Sequence, residues 1–147
     1  MALTKTPEEI DSMRRGGALL SKALAAAVAI VAPGVKLSEL DAAAESVIVG
    51  GGGEPSFKGY KGTPDDTPFP STVCISVNEE IVHGLGNRDR ELKEGDIVGL
   101  DIGLWLEGLC TDMAVTVPVG KVSDEVIKLM KVTRESLMKG VEAAKVG

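Results

Sequence analysis

The chain has 147 residues, 44% of them hydrophobic and 26% charged, which is the length and balance of one compact globular domain rather than two. Its 16 Lys+Arg against 22 Asp+Glu give a net charge of −6, which counts against a nucleic-acid surface built on clustered cations. Two cysteines, Cys74 and Cys110, are too few for a disulfide framework or a four-thiolate zinc site and fit a reduced, cytoplasmic setting. The single histidine, His83, excludes a site built on several imidazoles within this chain.

Thr6-Pro7-Glu8-Glu9 reads as a helix start, with a hydroxyl cap, proline in the first turn and acids at the positive dipole end. The helix is expected to run to about Ala32 and stop at Pro33-Gly34. Within it, Met13-Arg14-Arg15-Gly16-Gly17 resembles a twin-arginine or secretory segment. Glu8, Glu9 and Asp11 oppose that reading, and the apolar run Ala23–Ala32 falls well short of the roughly 18–20 residues of a membrane span. Ile10, Met13, Gly17, Leu20, Leu24, Val28 and Val31 recur at helical spacing, so the segment is expected to be an amphipathic core helix.

Ser38 then offers a second cap, with Asp41 in the capping-box position, and this helix ends in the four glycines Gly50–Gly53. Residues 55–70 read as a loop that carries three of the four aromatics, Phe57, Tyr60 and Phe69. Aromatics on such a loop either line a pocket for an apolar side chain or pin the loop against itself. Three strand-like runs follow, Thr72–Val77, Asp96–Leu104 and Leu109–Val119, with Asn78–Leu92 between the first two. A last helix is capped by Ser123 and carries Val126, Leu129, Met130, Thr133, Leu137 and Val141 on one face. The predicted fold class is α+β, a mostly antiparallel sheet with helices covering one face. Leu24–Gly34 and Leu137–Gly147 align without gaps at Leu, Val, Ala and Gly, which suggests that the chain is one half of something larger.

The chemistry concentrates in the last two strands. A turn centred between Leu106 and Glu107 would set Asp101 directly opposite Asp112, with Cβ atoms about 4.5–5.5 Å apart. Val98, Leu100, Ile102 and Leu104 then share an apolar face with Thr111, Met113, Val115 and Val117. The other face holds Gly99, Asp101, Gly103, Cys110, Asp112 and Ala114, two carboxylates among small residues. Facing like charges destabilise a sheet, and three arrangements accommodate them: solvent screening, a shared proton, or a divalent cation between them. The small neighbours and the absence of Lys or Arg in either strand favour the cation. Two aspartates alone are sparse ligation for an ion that wants about six oxygens. His83, beside Gly84, is either a satisfied loop residue or a group that reaches over the same face.

Ser76–Gly84 (SVNEEIVHG), Glu94–Asp101 (EGDIVGLD) and Gly108–Asp112 (GLCTD) together resemble the N-terminal half of type I methionine aminopeptidases. Phe57-Lys58-Gly59-Tyr60 is similar to the family's substrate loop, and the resemblance runs from Thr6 to Gly147. It implies a pita-bread fold of two pseudo-symmetric halves around a dinuclear site of two divalent metal ions (Co, Mn, Fe or Zn). By the same resemblance Asp101 and Asp112 are metal ligands, with Asp112 bridging both ions. His83 contacts the scissile peptide and steadies the tetrahedral intermediate, while Tyr60, Phe69 and Cys74 shape the pocket for the N-terminal Met of peptides and nascent proteins. The sequence departs from the family in an insertion at Gly62–Pro68 and in Lys61, where many relatives carry histidine. The family takes its remaining ligands, one His and two Glu, and its proton-transferring Glu from a second half that 1–147 does not supply. The chain alone is therefore expected to lack turnover, as a fragment or one piece of a split protein. Other readings are an X-Pro peptidase relative, a non-catalytic binding module of the same fold, or self-association of two halves through an open sheet edge.

Overall fold

The computed structural model describes residues 4–146. Helix α1 (Pro7–Ala29) and helix α2 (Leu37–Gly50) precede a short strand β1 (Glu54–Pro55). Strands β2 (Val73–Val77), β3 (Ile97–Leu106) and β4 (Leu109–Pro118) and helix α3 (Asp124–Ala143) complete the chain. β3 is the central strand. β4 pairs antiparallel along one edge, and β1 and β2 pair antiparallel, end to end, along the other.

α1 starts as its sequence implies: Thr6 Oγ1 accepts from Glu9 N at 3.2 Å and Glu9 Oε2 accepts from Thr6 N at 2.8 Å. It ends at Ala29, three residues before the expected Ala32, because the Ile30 N–H already bonds back to Ala27 O at 3.3 Å. Its buried stripe is Gly16, Leu20, Ala23, Leu24 and Ala27, turned from the expected face so that small residues lie innermost. The reason is close approach to β4: a Cβ on Gly16 would lie 3.3 Å from Thr111 Oγ1. Ile10, at the outer edge of the expected face, is 39% exposed. The arginine pair is used on the surface, Arg14 with Asp11 and Arg15 with Glu107 at the β3–β4 turn.

α2 begins one residue before the expected cap. The Lys36 N–H donates to Glu39 Oε2 at 2.8 Å, and burial of Leu37 and Leu40 draws the first turn onto the sheet. Asp41 is therefore not part of a cap. Its carboxylate is buried and accepts from Val73 N at 2.7 Å, tying α2 to the first residue of β2. Burial pushes its pKa up, against the pull of the Val73 and Thr72 amides.

α1 and α2 cover one sheet face, where Val73, Ile75, Val77, Val98, Leu100, Ile102 and Leu104 are fully buried. That face is filled by two helices, which corrects the expectation for the third. α3 is capped by Ser123, whose Oγ accepts from Val126 N at 3.3 Å, but it buries no residue. Leu129, Leu137 and Val141, expected to face the core, are exposed. Gly147, the end of the internal alignment, lies outside the described residues. Among the described residues no helix is long and apolar enough to cross a membrane.

Asp41→Ala leaves the Val73 amide unpaired in the core and is expected to lower unfolding stability by about 1–3 kcal/mol in urea denaturation. Asp41→Asn keeps an acceptor and is expected to lose less.

Candidate metal centre and substrate face

The β3–β4 turn sets the positions of the two aspartates. Glu107 and Gly108 both have positive φ, 53° and 76°, and make a two-residue connection of the kind that matches strand twist. Leu106 therefore faces Leu109, Gly103 faces Asp112 and Asp101 faces Ala114. The expected turn centre lay one residue too early, so Asp101 and Asp112 are not directly opposed. A register shift of two residues preserves the faces, and both carboxylates stay on the same side as diagonal neighbours, about 7–8 Å apart at the backbone. Gly103 and Ala114 occupy the other two corners of this four-residue patch.

The carboxylate face is the one away from α1 and α2. β2 extends it, with Cys74 beside Asp101 and Ser76 beside Gly99. Burial raises the pKa of Asp112. Burial and the Asp112 charge raise that of Asp101, while His83 pulls it down. Charge repulsion thus persists on a face whose strands carry no lysine or arginine. Ser56 and Phe57 cover Gly103: a Cβ there would overlap Ser56 Oγ and lie 3.0 Å from Asp112 Oδ2 and 3.3 Å from Phe57 Cε1. No local sequence pattern signals this overlay. It depends on β1, which has only two residues, and on the bond from Ser56 N to Gly103 O at 3.0 Å.

His83 lies in the segment that runs along the free edge of β2. Ile75 N donates to Gly84 O at 2.8 Å, Gly84 N donates to Ser76 Oγ at 3.2 Å, and Gly86 N donates to Ser71 Oγ at 3.1 Å. Gly84 is required there because any Cβ would overlap the Ile75 carbonyl. His83 itself is exposed, with φ of 59°, and its charge reaches Asp101.

The structure therefore gathers Asp101, Asp112, Cys74 and His83 around one face. It joins Tyr60 and Phe69 to each other, with Phe69 N donating to Tyr60 O at 2.9 Å and Gly59 N donating to Phe69 O at 2.8 Å. The insertion between them is exposed and looped out above this pinch, so it leaves the two aromatics adjacent in space. Tyr60 is 66% exposed and is not packed into a pocket wall in this chain. Among the described residues no three of His, Cys, Asp and Glu form a group that holds a metal ion by itself. Two like-charged carboxylates flanked by glycine and alanine fit as part of a hard-cation donor set, which needs further oxygens to be complete.

Burial first, then the Asp101, Asp112 and Asp41 charges, push the Cys74 thiol from its ordinary 9.0 up to about 11. A thiol pKa raised by folding favours the native state below the ordinary value, and that preference is lost as pH rises through the folded value. Stability is expected to fall between about pH 9 and 11, a decline that Cys74→Ala removes in pH-dependent thermal melts.

Three kinds of comparison agree with this geometry. The pattern of Metallopeptidase family M24 matches residues 11–147. The chain is 42% identical over its full length to a methionine aminopeptidase of Clostridium acetobutylicum and 44% identical to methionine aminopeptidase 1 of Bacillus subtilis. It spans 56% of the length of each. Among solved structures, a methionine aminopeptidase from Thermotoga maritima superposes with a TM-score of 0.91 at 36% identity, covering 100% of this chain and 57% of that one. Prolidase from Pyrococcus furiosus follows the same fold, with a TM-score of 0.82 at 25% identity over 97% of this chain and 39% of that one. The apolar face packed by two helices, the open carboxylate face and these likenesses lead to one assignment: the chain belongs to metallopeptidase family M24.

Proposed function

We propose that this chain is the N-terminal half of a methionine aminopeptidase catalytic domain and serves metal-dependent removal of N-terminal methionine from peptides and nascent proteins in the cytoplasm. The observation that carries the reading is the placement of Asp101 and Asp112 on one open sheet face, in a chain 42–44% identical to methionine aminopeptidases. That placement supports both carboxylates as ligands to two divalent ions. When bound, the ions would supply Lewis-acid polarisation of the scissile carbonyl and acidify water for attack. The chain's own residues divide the remaining work. Asp101 and Asp112 provide the negative charge that recruits the ions. His83, exposed at the rim, donates a hydrogen bond to the peptide at the scissile carbonyl. Cys74 stays a neutral thiol at ordinary pH and, with Tyr60 and Phe69, offers a soft, apolar wall to a thioether side chain.

Among the described residues this division provides neither a complete ligand set nor a group to transfer the proton. The open edge of β4 and the exposed apolar side of α3 support packing against a complementary half, or self-association in its absence. Prolidase likeness at 25% identity favours an X-Pro specificity less than the methionine assignment, and side-by-side assay of Met-Ala and X-Pro peptides on the intact protein separates them.

Calorimetric titration of the 147-residue chain with Mn²⁺ is expected to give weak heats that vanish in Asp101→Asn and Asp112→Asn. Met-Ala-Ser hydrolysis by the chain alone is expected to stay at background. Heats that survive both substitutions would remove the carboxylates from the metal site, and methionine release by the isolated chain would overturn the half-site reading.

A further inference from the structure

His83 holds a left-handed backbone conformation, φ 59°, which is strained for a non-glycine residue unless its surroundings impose it. Packing does not impose it. The two residues before it, Ile81 and Val82, are 91% and 63% exposed, and His83 is exposed as well. The constraint comes from the two limbs of the loop: Gly84 is held on β2 through its N–H and its carbonyl, and one cluster of side chains joins the limbs.

Glu80, on the ascending limb, accepts from Arg88 through both carboxylate oxygens, at 2.7 and 2.8 Å, and from Arg90 at 3.2 Å. Its Oε2 also accepts from Val77 N, at the end of β2, at 3.0 Å. The Arg88 guanidinium donates to Leu85 O at 2.8 Å on the descending limb and to Ile75 O at 3.0 Å on β2, one residue from Cys74. One planar cation thus binds both limbs of the loop and the strand below them. The Glu80 and Arg88 side chains are only 25% and 31% exposed, so solvent screens this pair less than an ordinary surface ion pair. Arg88 depresses the Glu80 pKa to about 2, in keeping with a tight charge-assisted pair.

We propose that Glu80, Arg88 and Arg90 are positioning residues that clamp the 80–88 loop and thereby fix His83 at the β2 edge of the carboxylate face. The functional meaning rests on the reading of His83 as a substrate-contacting group, but the clamp itself is testable without metal or substrate. Because His83 is the only histidine, its imidazole signals are unambiguous by NMR.

In ¹⁵N relaxation measurements on the 147-residue chain, the His83 and Gly84 amides are expected to have order parameters near 0.85, the value of rigid backbone. In Arg88→Met they are expected to drop below about 0.6, with Leu100 and Ile102 unchanged. Asp101→Asn is expected to shift the His83 imidazole signals in the wild-type background and not in Arg88→Met. If Arg88→Met does not fold, Glu80→Gln is held to the same criteria, since it removes the charge and keeps the side-chain size. An unchanged His83 order parameter in a folded variant overturns the proposal. So does a low value in the wild type, or an equal Asp101→Asn shift in both backgrounds. Loss of order at His83 in an enzyme that shows no aminopeptidase activity in any form would sink the functional reading and leave the clamp standing.

Discussion

Two carboxylates of like charge, held on the same side of an antiparallel hairpin with no cation on either strand, are the constraint around which this domain is organised. Folding gains nothing from bringing Asp101 and Asp112 together, since burial disfavours the ionised form of both and the Asp112 charge further disfavours that of Asp101. The hydrophobic layer between α1, α2 and the opposite sheet face must outweigh that repulsion. It does so with a continuous set of fully buried aliphatic residues on β2 and β3. The domain has one face built for stability and one that stores electrostatic tension. That tension is what a bound divalent cation would relieve under the proposed function.

The surroundings of the carboxylates are kept small for the same reason. Gly103 and Ala114 complete the patch defined by the two aspartates, and Ser56 and Phe57 close over Gly103 where a side chain would not fit. At the other end of the face, the edge of β2 is occupied by an irregular segment rather than a full strand. That segment carries His83 in a conformation that a regular strand would not permit, since its side chain must stand at the rim instead of alternating across the sheet. Gly84 and Gly86 make the approach possible, and the Glu80–Arg88 cluster joins the limbs of the loop. Irregular backbone at the edge of a rigid sheet can place a side chain where the regular scaffold cannot.

Much of the architecture was legible from local patterns. The Thr6 capping box, the alternation along β3 and β4 and the break at Gly50–Gly53 are nearest-neighbour effects, and each appears in the structure within a few residues of its expected place. The face shared by the carboxylates was legible too, because strand alternation has period two. Their direct opposition was not, because it depended on the turn. Glu107-Gly108 adopts two consecutive positive φ values and moves the register by two residues, a choice that conserves the faces and changes the partners. Asp41 misled as a cap for a related reason: a carboxylate near a helix start serves an exposed amide or a buried one, and only the packing of α2 on β2 selects the latter.

By itself the sequence determined which side chains share a face, where helices begin, and that the acidic hairpin and the His83-Gly84 segment belong to one family, because these follow from periodicity, capping and short motifs. The tertiary structure alone decided that α3 presents its apolar side outward, that Ser56 and Phe57 close over Gly103, and that Arg88 binds three separated points of the chain. Those outcomes depend on competition for space on a finite sheet and on contacts between residues far apart in sequence. Two helices fill the apolar face, and the third is left with its apolar side outward.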